Sequence, residues 1–272
     1  MEYEIKPQNK LSLGLKELWE YRELFYFFTL RDIKVKYKQT VLGFLWAVLQ
    51  PLILALLFSF FLGKAIASYT HLNLPYDIFA LSGLVIWGIF SNGLNNAGNS
   101  MVSNANIIKK IYFPRLIIPI SAILVGVFDF LMAMIVFFCY CIIKQSYFTW
   151  HAVLFFPLAA ALACIATFGV GCLLAALNVK YRDFRYLIPF LIQFLLFVTP
   201  VIYPSTIADN VYLNTFVALN PMTAPLDIFR ASFVGGQLNV TQDLISIGVS
   251  LIFLMTGLYY FRKTEAYFAD LA

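Results

Sequence analysis

Five stretches of this chain are apolar over a length that reaches or approaches a bilayer crossing: residues 41–63, 114–143, 150–179, 187–203 and 244–261. A hydrocarbon core of about 30 Å takes about 20 apolar residues in a helix. A sixth stretch, 77–98, starts apolar and turns polar at its far end. Runs of this length satisfy their backbone groups in lipid by forming helices. The expected fold is therefore an all-α polytopic membrane protein with six transmembrane helices. Composition agrees, with 61% hydrophobic and only 12% charged residues, where a soluble domain carries about 25% charged. An ordinary soluble enzyme is excluded on that ground, because one core cannot hide so much apolar surface.

The cations are distributed to one side. Of 19 Lys and Arg residues, 16 fall in the segment up to Thr40, in the 99–115 and 180–186 connections, and after the last span. Lys64, Lys144 and Arg230 fall in the alternate connections. This is the positive-inside pattern, and it places both termini in the cytoplasm. The net charge of +5 is then a topology signal and no sign of nucleic-acid binding. The first forty residues lack the apolar run and small-residue site of a cleavable leader, so the first span is expected to act as its own insertion signal.

Three regions are not simple spans. Residues 11–38 mix apolar and charged positions at helical spacing. Leu11, Leu15, Leu18, Trp19, Arg22 and Tyr26 recur at three- and four-residue steps, as in an amphipathic helix lying in the membrane surface. Such a helix serves as a topological anchor or as a gate at the cytoplasmic mouth. Asn92, Asn95, Asn96, Asn99, Ser103 and Asn106 share a helical face; they either join helices or line a hydrated path. Residues 199–237 hold Pro200, Pro204, Pro221 and Pro225 with Asp209, Asp227 and Arg230. That segment is too apolar for a loop and too broken for a span. It is expected to dip into the membrane as re-entrant helical pieces at the outer face, an outer gate, because irregular backbone at that depth must lie inside protein or along water.

Asp129 sits alone inside the third span, where a carboxylate is a functional candidate by default; proton coupling and a structural hydrogen bond both fit it. The 48 aromatic residues suit lipid contact and interface belts, and a subset could stack on sugar rings. The four cysteines lie in apolar segments and read as small hydrophobes. His71 and His151 form no metal-binding cluster. Gly63-Lys64 lacks the rest of a nucleotide-binding loop, and neither a nucleophile elbow nor an inverted repeat is evident. The chain reads as a passage without its own motor, completed by a symmetric dimer and a separate energy source.

Several motifs in order resemble the permease subunits of ABC-2 type transporters, and within them the polysaccharide exporters for O antigen, teichoic acid and capsule. They are RDIKVKYKQTVLG at 31–43 followed by Trp46 and Gln50-Pro51, and residues 106–119 with Lys109-Lys110 and Phe113-Pro114-Arg115. They continue with NVKYRD at 178–183, TPVIYP at 199–204, Asn220-Pro221 with Arg230, and Phe261-Arg262-Lys263 with Glu265, Phe268, Ala269 and Asp270. The match runs over nearly the whole chain, which the resemblance makes a single transmembrane domain over residues 1–272.

The resemblance implies the rest. Two copies form a channel in the bacterial cytoplasmic (inner) membrane, and two copies of a separate ATPase subunit, holding ATP and Mg, dock beneath it. A lipid-linked glycan, O-antigen-like or teichoic-acid-like, is exported. This chain itself holds no cofactor and is no enzyme. A cytoplasmic coupling segment maps to residues 100–112, with Asn106, Lys109, Lys110 and Tyr112, and a second contact to Arg182 and Asp183. Lys109 and Lys110 read equally well as topology determinants, and Arg182-Asp183 as a helix-end charge pair. The interface helix offers Trp19, Tyr26, Arg31 and Tyr37 as gate residues. Trp46, Gln50, Asn92, Asn96 and Asn99 are candidates for the translocation path. Pro200, Tyr203, Pro204, Asn220, Pro221 and Arg230 are candidates for the outer gate. Two other readings compete: an ABC-2 exporter of a small molecule such as a drug or antibiotic, and a membrane-embedded glycan or lipid enzyme, for which Asp129 alone supplies too little chemistry.

Overall fold

The computed structural model describes residues 15–38, 40, 42–69, 74–146, 148–205, 211–233, 238–265 and 268. Parts of the expected interface helix (11–14) and of the re-entrant segment (206–210 and 234–237), with Gln39, Val41, His71, Ala269 and Asp270, lie outside the described residues. The described residues form eleven helices: α1 (Leu15–Glu20), α2 (Arg22–Tyr37), α3 (Leu45–Tyr69), α4 (Tyr76–Ser103), α5 (Ala105–Ile108), α6 (Ile117–Ile143), α7 (Ala152–Lys180), α8 (Phe184–Val198), α9 (Val211–Ala218), α10 (Thr223–Arg230) and α11 (Val240–Glu265). Among them there is no strand beyond one isolated bridge, Phe148 to Phe233. The protein is an all-α, multi-pass membrane protein.

Five helices (α3, α4, α6, α7 and α11) are long and apolar enough to cross a membrane, and the apolar α8 is shorter. The expected span at 187–203 is corrected: the helix starts at Phe184 and stops at Val198, and Thr199 is extended (φ −82°, ψ 140°). Pro200 is the cause, since a residue before proline is pushed out of the helical region. The helix expected at 77–98 runs on through its amides to Ser103. The one expected at 114–143 begins only at Ile117, after the Pro114 turn. The last begins at Val240 and reaches Glu265.

α4 is the axle of the bundle, packed by α3, α6, α7, α8 and α10. Lipid tails are as apolar as leucine, so helices in a membrane associate through close packing and polar bonds. The contact of α7 with α11 shows the first: a Cβ on Gly169 would lie 2.5 Å from the backbone N of Leu254, and one on Gly257 would strike the Gly169 carbonyl. Only glycine allows the two backbones to cross so closely.

The N-terminal part of α2 and the C-terminal end of α11 lie at one end of the bundle. Phe28 of α2 stacks near Phe113, with ring centroids 5.7 Å apart. Arg115, just before α6, bonds Glu265 at the end of α11. Phe268 is buried against Phe261. A buried cluster with Met101, Ile108, Leu116, Cys172 and Val179 closes this end, called here the inner end. The opposite, outer end holds Asp77, Lys144 and the α9–α10 segment.

Candidate functional site

α4 presents its amides to two adjoining cavities. The first is a polar groove of about 680 Å³ at the inner end, lined among others by Arg31, Lys36, Asn95, Asn96, Asn99 and Asn106. The second is a deeper cavity of about 480 Å³ between α3, α4, α6 and α8, lined among others by Trp46, Gln50, Trp87, Asn92, Asp129 and Gln193. Lys36 and Asn95 line both. The structure divides the five path candidates between them, with Asn96 and Asn99 in the groove and Asn92, Gln50 and Trp46 in the deep cavity. Some amides also join helices: Asn178 Nδ2 donates to the Gly98 carbonyl at 2.8 Å and to Asn99 Oδ1 at 3.2 Å.

Asp129 stands in the wall of the deep cavity, 3% exposed. Its partners come from the far N-terminal side of the chain. Lys36 Nζ meets Asp129 Oδ2 at 2.5 Å, and the Tyr37 hydroxyl donates to Asp129 Oδ1. Burial, and then the hydrogen bond to the carboxylate, push the Tyr37 phenol well above its usual range, so it stays a donor. α2 therefore runs along the first half of α6, from Phe113 to a point twelve residues into the helix, about 18 Å at 1.5 Å per residue. The sequence pattern contains no partner for Asp129, because the two are about ninety residues apart in the chain.

The expected gate residues of the N-terminal helices divide. Leu18, Tyr21, Leu24, Phe25 and Phe28 turn to the bundle, while Trp19 and Tyr26 point outward, 71% and 66% exposed. Arg31 bonds Asp32 through Nε (2.9 Å) and Nη2 (2.7 Å), and Nη2 reaches Asn104 Oδ1 at 2.7 Å. Asn104 falls off the face of the asparagine strip, so its spacing does not reveal it; buried between α4 and α5, it donates to the Ser100 carbonyl at 2.8 Å.

The expected coupling segment at 100–112 resolves into the end of α4, the single turn α5 and an exposed tail. Lys109, Lys110 and Tyr112 are exposed there. Arg182 and Asp183 are exposed at the α7–α8 turn, at the same end of the bundle. The four charged side chains among them put both signs of charge on the surface of this end.

At the outer end the TPVIYP segment and α10 lock together. Arg230, 5% exposed, donates to the carbonyls of Pro200 (2.7 Å) and Val201 (2.5 Å), and its guanidinium lies 3.6 Å from the Phe79 ring centroid. A Cβ on Gly83 would fall 2.6 Å from Arg230 Nη2 and 2.5 Å from the Val201 oxygen, so this close approach needs glycine. Asn220 Nδ2 donates to Thr199 Oγ1 at 2.8 Å, and the Asn220 and Pro221 carbonyls accept from Ser246 and Ser250 of α11. The Tyr203 hydroxyl turns back to the Val198 carbonyl at 2.7 Å. Pro204 follows at the edge of the described segment. Rings of Phe137, Phe148, Phe156, Phe229 and Phe233 pack around the end of α10. Nearby, Lys144 Nζ lies 2.8 Å from Asp77 Oδ2, and that carboxylate holds the exposed ammonium above its ordinary range.

Among the described residues no group of three or more His, Cys, Asp or Glu side chains is placed to hold a metal ion. The four cysteines are free thiols.

A bundle of membrane-crossing helices with an N-terminal interface helix, a short connecting turn at one end and a broken helical segment at the other is the frame of a membrane transporter. Residues 23–234 match the family model of the ABC-2 type transporter, and the chain belongs to that family. It is 31% identical over 247 residues to the O-antigen export system permease protein RfbA of Klebsiella pneumoniae, covering 89% of this chain and 92% of the relative. It is 29% identical over 262 residues to the protein of that name in Myxococcus xanthus, covering 94% and 98%. With the polysialic acid transport protein KpsM of Escherichia coli it shares 23% identity over 245 residues, covering 87% and 91%.

Proposed function

We propose that this chain is the transmembrane subunit of an ATP-driven exporter that moves a lipid-linked polysaccharide, O-antigen-like or teichoic-acid-like, outward across the bacterial cytoplasmic membrane. The observation that carries the reading is the pair of adjoining cavities along α4, lined by amides and aromatic side chains from the inner end inward. Amides donate to and accept from sugar hydroxyls, and aromatic faces stack on sugar rings. The relatives, permeases for O-antigen export and a protein for polysialic acid transport, support a glycan cargo.

A second copy completes the path. α3 and α8 flank the deep cavity and expose Trp46, Phe60, Phe61, Phe190, Phe194 and Phe197, an apolar area that suits a homodimer seat and lipid. Two ATPase subunits, which hold the ATP and Mg, dock at the inner end on Lys109, Lys110, Tyr112, Arg182 and Asp183. Both termini then face the cytoplasm, as the charge asymmetry requires.

Deletion of the gene in its host, with glycan staining of surface and cytoplasmic fractions, tests the cargo. Loss of surface polymer with lipid-linked polymer trapped inside is the expected result. Unchanged surface glycan would reject the polysaccharide and favour a small-molecule cargo.

A further inference from the structure

Two polar contacts on α2 lie five residues apart and tie it to different parts of the bundle. Arg31 bonds Asn104 at 2.7 Å, and Asn104 is the residue between α4 and α5. Lys36 and Tyr37 hold both carboxylate oxygens of Asp129. Five residues of helix are about 7.5 Å of axial rise, and a packed helix shifts as a stiff unit. Lys36 lines both cavities, so its side chain stands at their junction.

We propose that α2 is a lever between the α4–α5 joint and the transport path, and that Asp129 is the positioning residue that holds Lys36 across the junction of the two cavities at rest. A displacement of α5 travels through Asn104 and Arg31 to Lys36. Release of Lys36 opens the groove into the deep cavity. This rests on the two cavities being halves of one path. The arrangement suits a latch. Asp129 is fixed in α6 and almost wholly buried, while the Lys36 side chain is 37% exposed, so water is at hand to receive the ammonium. Arg31 and Asp32, which line the groove with Lys36, pair with each other at 2.7 Å.

The test uses the full transporter with its ATPase subunits in nanodiscs, with Cys139, Cys141, Cys164 and Cys172 replaced by serine. Single reporters Asn92→Cys (deep cavity) and Asn99→Cys (groove) are labelled with a bulky hydrophilic maleimide. With the native pair, Asn99→Cys labels readily and Asn92→Cys slowly. Asp129→Asn is expected to speed labelling of Asn92→Cys about tenfold, within the range of a site-to-site coupling, and to leave Asn99→Cys unchanged. The exchange Lys36→Asp with Asp129→Lys restores slow labelling. A non-hydrolysable ATP analogue speeds Asn92→Cys labelling in the native background, and Arg31→Met removes that response. Should Asp129→Asn not fold, Lys36→Met with Tyr37→Phe removes the donors instead and gives the same readout. Equal Asn92→Cys labelling with and without the pair, or a nucleotide response that survives Arg31→Met, overturns the proposal. Accessibility is read with no glycan present, so a failed lever and a wrong cargo are told apart.

Discussion

The two ends of the bundle are held by different kinds of contact. At the outer end Arg230 is buried and donates to the carbonyls of two buried residues, Pro200 and Val201. Its guanidinium cannot leave without stranding buried acceptors, which is expensive. At the inner end the polar contacts of α2 come from side chains more than a quarter exposed, Arg31 and Asp32 at 28% each and Lys36 at 37%. The exposed cations can trade a protein partner for water, and Asp129, which lines the deep cavity, keeps the Tyr37 hydroxyl as a donor when Lys36 leaves. On the proposed mechanism, the outer segment is the fixed part and α2 is the part that moves. The moving part lies at the end where a driving subunit is proposed to push.

Substitutions sharpen this contrast, and the largest effect belongs to the outer lock. Arg230→Met leaves the Pro200 and Val201 carbonyls unpaired and Asp227 without its neighbouring cation, and should lower stability by about 3–5 kcal/mol, read as thermal unfolding in detergent. Arg230→Lys should recover little, because one ammonium cannot reproduce the guanidinium fork. Next, Gly169→Leu drives a side chain into the backbone of α11 and should cost about 1–3 kcal/mol in the same assay. Asp129→Asn should cost only about 1 kcal/mol, since Lys36 retreats to water, while access to the deep cavity changes. An unfolding temperature for Asp129→Asn as low as that of Arg230→Met would break the comparison. Smallest in stability is Lys109→Glu with Lys110→Glu, within about 0.5 kcal/mol of the parent because both side chains are exposed. That pair should nevertheless uncouple ATPase stimulation from export and leave the dimer intact; unchanged export would sink its coupling role.

Much of the frame was legible in the sequence, because apolar length and cation asymmetry are local properties. The amides of α4 were legible too, since Asn92 to Asn106 repeat at helical spacing, and the structure places them along two cavities. Pro200 announced a break, but the end of α8 at Val198 was not read from it, because the apolar run continues past the proline to Tyr203. The partner of Asp129 was beyond reach for another reason. Lys36 reads as one of several topology-setting cations, and only tertiary packing brings α2 alongside α6. Asn104 was missed because a residue off the polar face carries no periodic signal. Arg230 was singled out by its place in a motif, while its bonds to the Pro200 and Val201 carbonyls depend on Gly83 leaving room. The face of the N-terminal helices toward the bundle, Tyr21, Phe25 and Phe28, could not be told from the exposed Trp19 and Tyr26, since aromatic residues suit protein and headgroup contact alike.

Hydrogen–deuterium exchange on the transporter assembled with its ATPase subunits, with and without a non-hydrolysable ATP analogue, tests the contrast most directly. Nucleotide is expected to change exchange in residues 22–37 of α2 and in the 104–112 connection, while residues 223–230 of α10 stay protected in both states. Exchange that changes in α10 and not in α2 would contradict it, and would place the moving part at the outer end.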